Sequence, residues 1–251
     1  MINTIQQKDA LELLRQLPDK YVDIVITSPP YNIKWKNSPN HRSGMFNDNG
    51  WYLRFKNGYD TYNDSMPESK YQEWLFSIVE ECLRVSKGLV WINHKTRYRD
   101  GVGIHPLRFL TFPLWSEIVW NQRTGRAINS KRFIPSHEYL LGFGRPHYWD
   151  GKNQFAYSVW DLPSQSQPNH PAPFPMALIS PIIEAYCPPE GIVLDPFIGS
   201  GTTALAAIQL NRNYIGGDIS PRYVEDAKKR LSNPIQQTMF VGGGYYGEED
   251  S

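Results

Sequence analysis

A short apolar run that ends at two consecutive prolines constrains this chain more than any other feature. Residues 22–27 read Val-Asp-Ile-Val-Ile-Thr, and such β-branched runs are typical of a buried strand. Pro29 and Pro30 lack the N–H group that a sheet ladder requires, and each has its φ angle fixed at about −65°. The strand must therefore end near Ser28, and a stiff extended loop must follow it.

The residues of this loop predict a small polar socket. Ser28 offers a hydroxyl group, Tyr31 offers a flat ring, and the Ser28 and Pro29 carbonyls cannot both be used by a regular ladder. These groups suit a planar ligand that donates hydrogen bonds, such as the amino edge of a nucleobase. A plain turn after a strand is the alternative, because proline marks many loops.

A second stretch has the order strand, glycine-rich turn, helix, strand. Residues 191–203 read Gly-Ile-Val-Leu-Asp-Pro-Phe-Ile-Gly-Ser-Gly-Thr-Thr, and a helical pattern continues to residue 210. Glycines in such a turn let the backbone approach a ligand closely, as in dinucleotide-binding folds. The next strand, 213–218, ends at Asp218, where a carboxylate is placed to hold ribose hydroxyls.

Both stretches resemble motifs of one family. Thr27-Ser28-Pro29-Pro30-Tyr31 resembles the catalytic motif, and residues 195–203 resemble the S-adenosylmethionine motif, of the DNA amino-methyltransferases that make N4-methylcytosine or N6-methyladenine. The catalytic motif comes first here, as in the permuted beta class, and the resemblance runs from about Ile5 to Leu231. Protein-glutamine and some RNA methyltransferases share a similar Pro-Pro-Tyr motif, but they usually carry the cofactor motif first.

The resemblance implies the residues of the site. Ser28, Pro29, Pro30 and Tyr31 would be catalytic: the Ser28 hydroxyl and the Pro29 carbonyl would accept hydrogen bonds from the target amino group, and Tyr31 would stack on a base flipped from the duplex. No metal is needed, and the cofactor is S-adenosyl-L-methionine. The residues expected to bind it are Asp9, Thr27, Phe174, Asp195, Phe197, Gly199, Ser200, Gly201, Thr202, Thr203 and Asp218.

Two of these cofactor residues have a plain structural alternative. Asp9 precedes a helical stripe of leucines and would also serve as a helix N-cap. Phe174 lies in the proline-rich segment 170–175, which could simply begin the helix that runs to Cys187.

The identity of the target base rests on the resemblance. Family members with Ser in the first motif position more often make N4-methylcytosine, and those with Asp more often make N6-methyladenine. Phe174, where others have Lys, favours cytosine as well, so N4 of cytosine is predicted and N6 of adenine is the alternative. An NAD-dependent Rossmann oxidoreductase would leave Ser-Pro-Pro-Tyr unexplained, and the intact motifs weigh against an inactive DNA-binding module.

The net charge of +1 means that DNA binding must depend on local patches. Insertions are expected at about 33–64, 121–132 and 145–169. The first combines cations with aromatic rings, and the second carries four cations and no acid. Solvated loops are the alternative. The third has 25 residues, too few for the family's separate recognition domain. The expected DNA-binding residues are Lys34, Trp35, Lys36, Arg42, Arg123, Arg126, Lys131 and Arg132.

The predicted fold is α/β, with a doubly wound, mainly parallel, Rossmann-like methyltransferase sheet in circularly permuted motif order. Its seven strands are expected at 2–7, 22–27, 89–93, 115–120, 137–143, 192–195 and 213–218. The topology implied by the resemblance places the second and sixth of these strands side by side, so that Ser28 and Gly199 face one crevice. We expect a single catalytic domain over 1–235 and a flexible tail over 236–251.

The remaining expectations concern location and partners. Cys82 and Cys187 lie in apolar helical patterns and predict buried thiols of a reducing cytosol. No signal-peptide core and no apolar run of about 18 residues is visible, so we expect a cytoplasmic protein without a membrane partner. Double-stranded DNA is the expected partner, the small recognition region favours a homodimer, and a cognate restriction endonuclease is left open. His94 is expected on a loop, as a local hydrogen-bonding residue.

Overall fold

The computed structural model describes residues 1–33, 65–123, 131, 133–152, 157–163 and 175–232. The strands are β1 (Thr4–Gln7), β2 (Ile24–Thr27), β3 (Val90–His94), β4 (Arg97–Arg99), β5 (Val102–Ile104), β6 (Leu114–Asn121), β7 (His137–Phe143), β8 (Val159–Asp161), β9 (Ile192–Asp195) and β10 (Asn213–Asp218). The helices are α1 (Ala10–Arg15), α2 (Glu68–Val85), α3 (Met176–Tyr186), α4 (Thr202–Gln209) and α5 (Pro221–Leu231). A 3₁₀ turn covers Pro106–Arg108.

Eight of the described strands form the main sheet, in the order β1-β10-β9-β2-β3-β7-β6-β8, and β4 and β5 pair separately as an antiparallel hairpin. Among the described strands of the main sheet, only β7 runs against the others. The strand before the prolines, β2, lies between β9 and β3, with Val25 opposite Leu194 and Val90. The expected adjacency of the two motif strands is therefore confirmed.

The central strands alternate their side chains between two apolar cores. Ile24 and Ile26 of β2 belong to the core that α3, α4 and α5 cover, whereas Val25 belongs to the core that α1 and α2 cover. All three side chains are at most 1% exposed. Each buried side chain of this size stabilises the fold by roughly 1.5–3 kcal/mol, and β2 is consequently fixed from both faces.

The sheet differs from the prediction at its edge and beside β3. The eighth strand, β8, lies within the insertion 145–169, where no strand was predicted, and the β4–β5 hairpin follows β3 where a loop was expected. Each of these strands has three residues, which is too short for an alternating pattern to be recognised. The other seven strands match their predicted positions within two residues.

Both cysteines are buried and free, as predicted. No helix among the described residues is long and apolar enough to cross a bilayer. Most of the expected insertions, and the expected flexible tail at 236–251, lie outside the described residues.

Candidate active site

The loop after β2 places Tyr31 in a buried polar cluster. The Tyr31 side chain is almost fully buried, and its hydroxyl oxygen lies 2.9 Å from both Asn93 Oδ1 and Glu138 Oε2. Ser28 Oγ is 3.2 Å from the same hydroxyl and 3.4 Å from Asn93 Oδ1. Asn93 comes from the end of β3 and Glu138 from the start of β7, so three strands meet at this cluster.

Two hydrogen-bond acceptors of this cluster are available to a ligand. Asn93 Nδ2 donates to the Tyr139 carbonyl at 3.2 Å, which directs the Asn93 oxygen towards Ser28. If Ser28 donates its proton to that oxygen, its own lone pairs are left to accept. Within the described ranges we find no hydrogen bond to the Pro29 carbonyl. Ser28 and Pro29 can therefore both accept protons from one amino group.

The ring of Tyr31 is covered more completely than the sequence suggested. Lys95 Nζ lies over this ring, 5.0 Å from its centroid, and 3.8 Å from Glu138 Oε1. The His94 ring centroid is 4.8 Å from that of Tyr31. A base could stack on the face below Lys95 only after this ammonium group had moved.

His94 is not the loop residue that we expected. It is the last residue of β3 and is fully buried, and burial lowers the pKa of its imidazole to about 3. The imidazole is therefore neutral at physiological pH. The sequence error arose because β3 extends one residue beyond its predicted end.

Asp195, at the end of β9, joins the two motifs. Its carboxylate accepts hydrogen bonds from Thr27 Oγ1 at 2.6 Å, from Thr203 Oγ1 at 2.6 Å and from the Phe197 amide at 3.0 Å. Thr27 and Asp195 are 168 residues apart in the sequence. The structure thus brings these predicted site residues together, and their side chains bond one another to brace the floor of the crevice.

The glycine-rich turn requires glycine at Gly201. Its φ is +81°, a left-handed conformation, and an added Cβ would lie 3.1 Å from Ala227 Cβ on α5. Arg230 of α5 also donates to the Ser200 carbonyl at 3.1 Å and to Thr202 Oγ1 at 3.0 Å. The loop before α4 is therefore held tightly against α5.

Replacing Gly201 with alanine should cost more stability than the same change at Gly101. Gly101, in the β4–β5 turn, has a φ of +80° but no described atom within 4 Å of an added Cβ, so Gly101→Ala carries only the backbone strain of roughly 1 kcal/mol. Gly201→Ala adds the clash with α5, and we expect a loss of roughly 2 kcal/mol or more. Urea unfolding of the two variants measures the difference, and equal losses would show that the α5 contact is unimportant.

Asp218 fixes the same loop and remains partly exposed. Its carboxylate accepts from the Gly199 amide at 3.1 Å and from the Ser220 amide at 2.9 Å, and burial raises the pKa of this carboxyl. Each oxygen has a further lone pair for a ligand hydroxyl. Ile219, which follows it, is 47% exposed and offers an apolar surface at the mouth of the crevice.

Asp9 has the structural role that was its alternative. It caps α1, and its Oδ1 accepts from the amides of Leu11 and Glu12 at 2.9 and 3.3 Å. The preceding amide, that of Lys8, donates to the Asp218 carbonyl at 3.0 Å. Asp9 therefore lies close to the end of β10, and a role for it towards a cofactor stays a prediction.

Only two of the predicted DNA-binding residues lie in the described part of the chain. Arg123 has 63% of its side chain exposed and pairs with Asp161 at 3.4 Å, and Lys131 is exposed. Arg123 follows β6, which runs parallel to β3 and ends at the same edge of the sheet as Ser28. The predicted residues outside the described ranges are Lys34, Trp35, Lys36, Arg42, Arg126, Arg132 and Phe174.

Three residues of the cluster around Tyr31 were not predicted from the sequence: Asn93, Lys95 and Glu138. Asn93 ends a predicted parallel strand and Lys95 follows it. Both therefore lie at the same edge of the sheet as Ser28, and this position was a usable signal. Glu138 begins an antiparallel strand, and its proximity to Tyr31 depends on a strand order that no local pattern shows.

The titration of Asp195 should make stability depend on pH. Burial raises the pKa of this carboxyl from 3.8 to about 6 in the folded protein, despite the three hydrogen bonds that lower it. Between these pH values the folded state binds more protons than the unfolded state. The contribution of Asp195 to the free energy of unfolding is therefore full below the unfolded pKa and is lost as pH rises through about 6.

Between pH 7 and pH 5 we therefore expect wild-type stability to gain roughly 1–2 kcal/mol relative to Asp195→Asn, which cannot titrate. Urea unfolding at several pH values measures this difference. A difference between the two proteins that did not change with pH would contradict it.

The chain is similar in sequence to known proteins. The chain is 30% identical, over 95% of its length, to the type II methyltransferase M.BglII of Bacillus subtilis, and the match covers 72% of that protein. It is 28% identical, over 91% of its length, to the DNA adenine methyltransferase YhdJ of Escherichia coli strain K12, with 82% of that protein covered.

Solved structures share the fold. The cytosine-N4-specific PvuII DNA methyltransferase superposes with a TM-score of 0.70 at 18% identity, over 93% of this chain and 88% of that one. Other structures of this fold are complexes with S-adenosyl-L-methionine. The family model for N6- and N4-type DNA methylases matches residues 22–229. Because this match spans most of the chain, the protein belongs to the N6/N4 DNA methylase family.

Proposed function

We propose that this DNA amino-methyltransferase transfers the methyl group of S-adenosyl-L-methionine to N4 of cytosine in double-stranded DNA. The observation that carries the proposal is the pair of acceptors after β2. The neutral Ser28 hydroxyl lies within the Tyr31–Asn93 cluster, beside the Pro29 carbonyl. The family membership supports a reaction at an exocyclic amino group.

The two acceptors address the main difficulty of this reaction. An aromatic amino group is a poor nucleophile because its lone pair is delocalised into the ring. Hydrogen bonds from its two N–H groups to Ser28 Oγ and the Pro29 carbonyl favour a tetrahedral nitrogen and localise the lone pair. The nitrogen would form the new N–C bond with the methyl group that the bound cofactor supplies, and the electrons of the broken C–S bond would stay on sulfur. The surplus proton of the nitrogen leaves to water, and positioning supplies most of the rate enhancement.

Residues beside this pair would hold the cofactor. S-adenosyl-L-methionine supplies an electrophilic sulfonium methyl group. The Asp218 carboxylate would accept from its ribose hydroxyls, and the exposed Ile219 side chain would cover one face of its adenine. Asp195, Thr27 and Thr203 brace the turn that would hold the methionine part.

Serine at position 28 supports cytosine over adenine. A hydroxyl is a weaker acceptor than a carboxylate, and the cytosine-N4-specific PvuII enzyme has the same fold. N6 of adenine remains the alternative, since YhdJ is named as an adenine methyltransferase and is 28% identical.

Residues beyond β6 would hold the DNA. We infer that Arg123 and Lys131 contact the phosphate backbone, because both lie on the segment that leaves the sheet at the Ser28 edge. A homodimer and a cognate restriction endonuclease, as in type II systems, stay predictions.

Expression in a bacterial host that lacks DNA methyltransferases tests the choice of base. Nucleosides from its genomic DNA are separated and identified by mass spectrometry, with the empty vector as control. N4-methyldeoxycytidine is the expected product. N6-methyldeoxyadenosine in its place would refute the cytosine assignment and keep the mechanism.

A further inference from the structure

The hydroxyl of Tyr71 connects α2 to the loop after β2. Tyr71 is fully buried, and its hydroxyl oxygen lies 2.8 Å from the Pro30 carbonyl and 2.8 Å from His94 Nε2. These three residues come from a helix, from the loop after β2 and from the end of β3. None of the sequence motifs includes Tyr71 or His94.

The directions of these hydrogen bonds follow from the groups present. The Pro30 carbonyl can only accept, so the single hydroxyl proton of Tyr71 goes to it. His94 Nε2 must then donate to Tyr71. Since His94 is neutral, its Nδ1 is left as an acceptor, and the Lys95 amide lies 2.9 Å away as its donor. Nδ1 is also 2.8 Å from the Lys95 carbonyl, to which it could donate in the other tautomer. In that tautomer Nε2 would be an acceptor, and the single hydroxyl proton of Tyr71 would face two acceptors, Nε2 and the Pro30 carbonyl.

Fixing the Pro30 carbonyl fixes the loop that carries the site. The rings of Pro29 and Pro30 already hold both φ angles, so ψ is the only soft backbone dihedral that each retains. The direction of the Pro30 carbonyl is set by ψ of Pro30, and this angle also sets the path of the chain into Tyr31. Further along, Arg99 donates to the Asn32 carbonyl, and Asn32 Nδ2 donates to the Met66 carbonyl at 3.0 Å.

The Arg97 side chain restricts the position of the Tyr71 ring. The Arg97 guanidinium lies 4.3 Å from the centroid of its ring, and the Arg97 side chain is fully buried. Arg97 forms two hydrogen bonds of 2.7 Å to the carboxylate of Glu68, which lies one helical turn before Tyr71 on α2. Such a bidentate pair is rigid, so the Tyr71 ring has little freedom to turn away from Pro30.

We propose that Tyr71 and His94 are positioning residues for methyl transfer, forming a hydrogen-bond relay that fixes the Pro30 carbonyl and thereby the Tyr31 ring and the Pro29 carbonyl. Neither residue touches the target base. The proposal rests on the proposed function, because it assigns a role in that reaction.

The test compares Tyr71→Phe, His94→Leu and the double variant with wild-type protein. We measure kcat and KM on unmethylated, whole-genome-amplified DNA, cofactor affinity by calorimetry, and thermal unfolding. Each single change should lower kcat roughly 10- to 100-fold and leave cofactor affinity within about twofold. The double variant should be no slower than the worse single variant, because either change alone already interrupts the relay. His94→Gln, which keeps a donor at a similar reach, should restore most of the rate.

Tyr214→Phe is the matched control, since Tyr214 lies on β10 and its hydroxyl has no hydrogen bond within the described residues. It should leave kcat unchanged. An unchanged kcat in Tyr71→Phe, or single effects that multiply in the double variant, would overturn the relay.

A measurement without catalysis keeps this test separate from the proposed function. ¹⁵N NMR of histidine-labelled protein reports the tautomer of His94, and we expect the proton on Nε2. A proton on Nδ1 would overturn the relay even in an active enzyme. Inactive wild-type protein with the Nε2 tautomer would instead refute the proposed function and leave the hydrogen-bond chain intact.

Discussion

Tyr31→Ala is expected to lower kcat/KM for DNA methylation by about 100-fold or more. Stacking of one base on an aromatic ring contributes roughly 1–3 kcal/mol, and losing the ring also releases the Ser28–Asn93 cluster that it completes. Misplacement of the reacting groups adds to this loss. Cofactor affinity should change little, since the described partners of the Tyr31 hydroxyl are Ser28, Asn93 and Glu138, which lie outside the glycine-rich turn. Steady-state kinetics and calorimetry on the same preparation measure both quantities.

Tyr31→Phe separates the ring from its hydroxyl. It keeps the stacking surface and removes the hydroxyl, which lies within hydrogen-bonding distance of Ser28, Asn93 and Glu138, so we expect a loss of about tenfold or less. Full activity in Tyr31→Ala would show that this ring has no part in holding the base.

Asp195→Asn is expected to weaken both the fold and cofactor binding. An amide can replace only one of the two carboxylate oxygens as an acceptor, and its NH₂ group would face the hydroxyl proton of Thr27 or Thr203. A buried donor left without an acceptor costs roughly 1–3 kcal/mol, which corresponds to a fall in Tm of roughly 2–12 °C for a chain of this size. With the turn loosened, cofactor affinity should fall at least tenfold. Thermal unfolding and calorimetry measure the two effects.

Asp161→Asn is the isosteric control, because Asp161 also ends a strand but has 53% of its side chain exposed and makes a surface ion pair. Such pairs contribute about 1 kcal/mol at most, so Tm should move little. If Asp195→Asn were as mild as Asp161→Asn, Asp195 would not be the link between the motifs.

The central sheet could be predicted from sequence because its strands carry strong local signals. β2 and β9 are runs of apolar, mostly β-branched residues that end at proline or at a glycine-rich turn, and their bounds followed from that chemistry. β8 carries no such signal. It is a three-residue strand whose position depends on pairing with β6 through Trp120 and Trp160, a tertiary contact that no local pattern encodes.

Residues of the candidate site that lie within a sequence motif could be predicted. Those brought to the site by the order of the strands could not. Ser28 and Asp195 stood out by their neighbours in the sequence, and the resemblance placed them in one crevice. Glu138 reaches Tyr31 only because β7 runs antiparallel beside β3. Tyr71 belongs to no sequence motif, and its hydroxyl reaches the Pro30 carbonyl only because α2 packs against the loop after β2.

The most direct test of the account is transfer of a labelled methyl group. Duplex DNA of varied sequence is incubated with the protein and S-adenosyl-L-methionine that carries a trideuterated methyl group, and the nucleosides are then analysed by mass spectrometry. The account predicts the deuterated methyl group on an exocyclic nitrogen of a DNA base, with cytosine as the expected base. Binding of the cofactor without any label in DNA, or label on a ring carbon of the base, would contradict it.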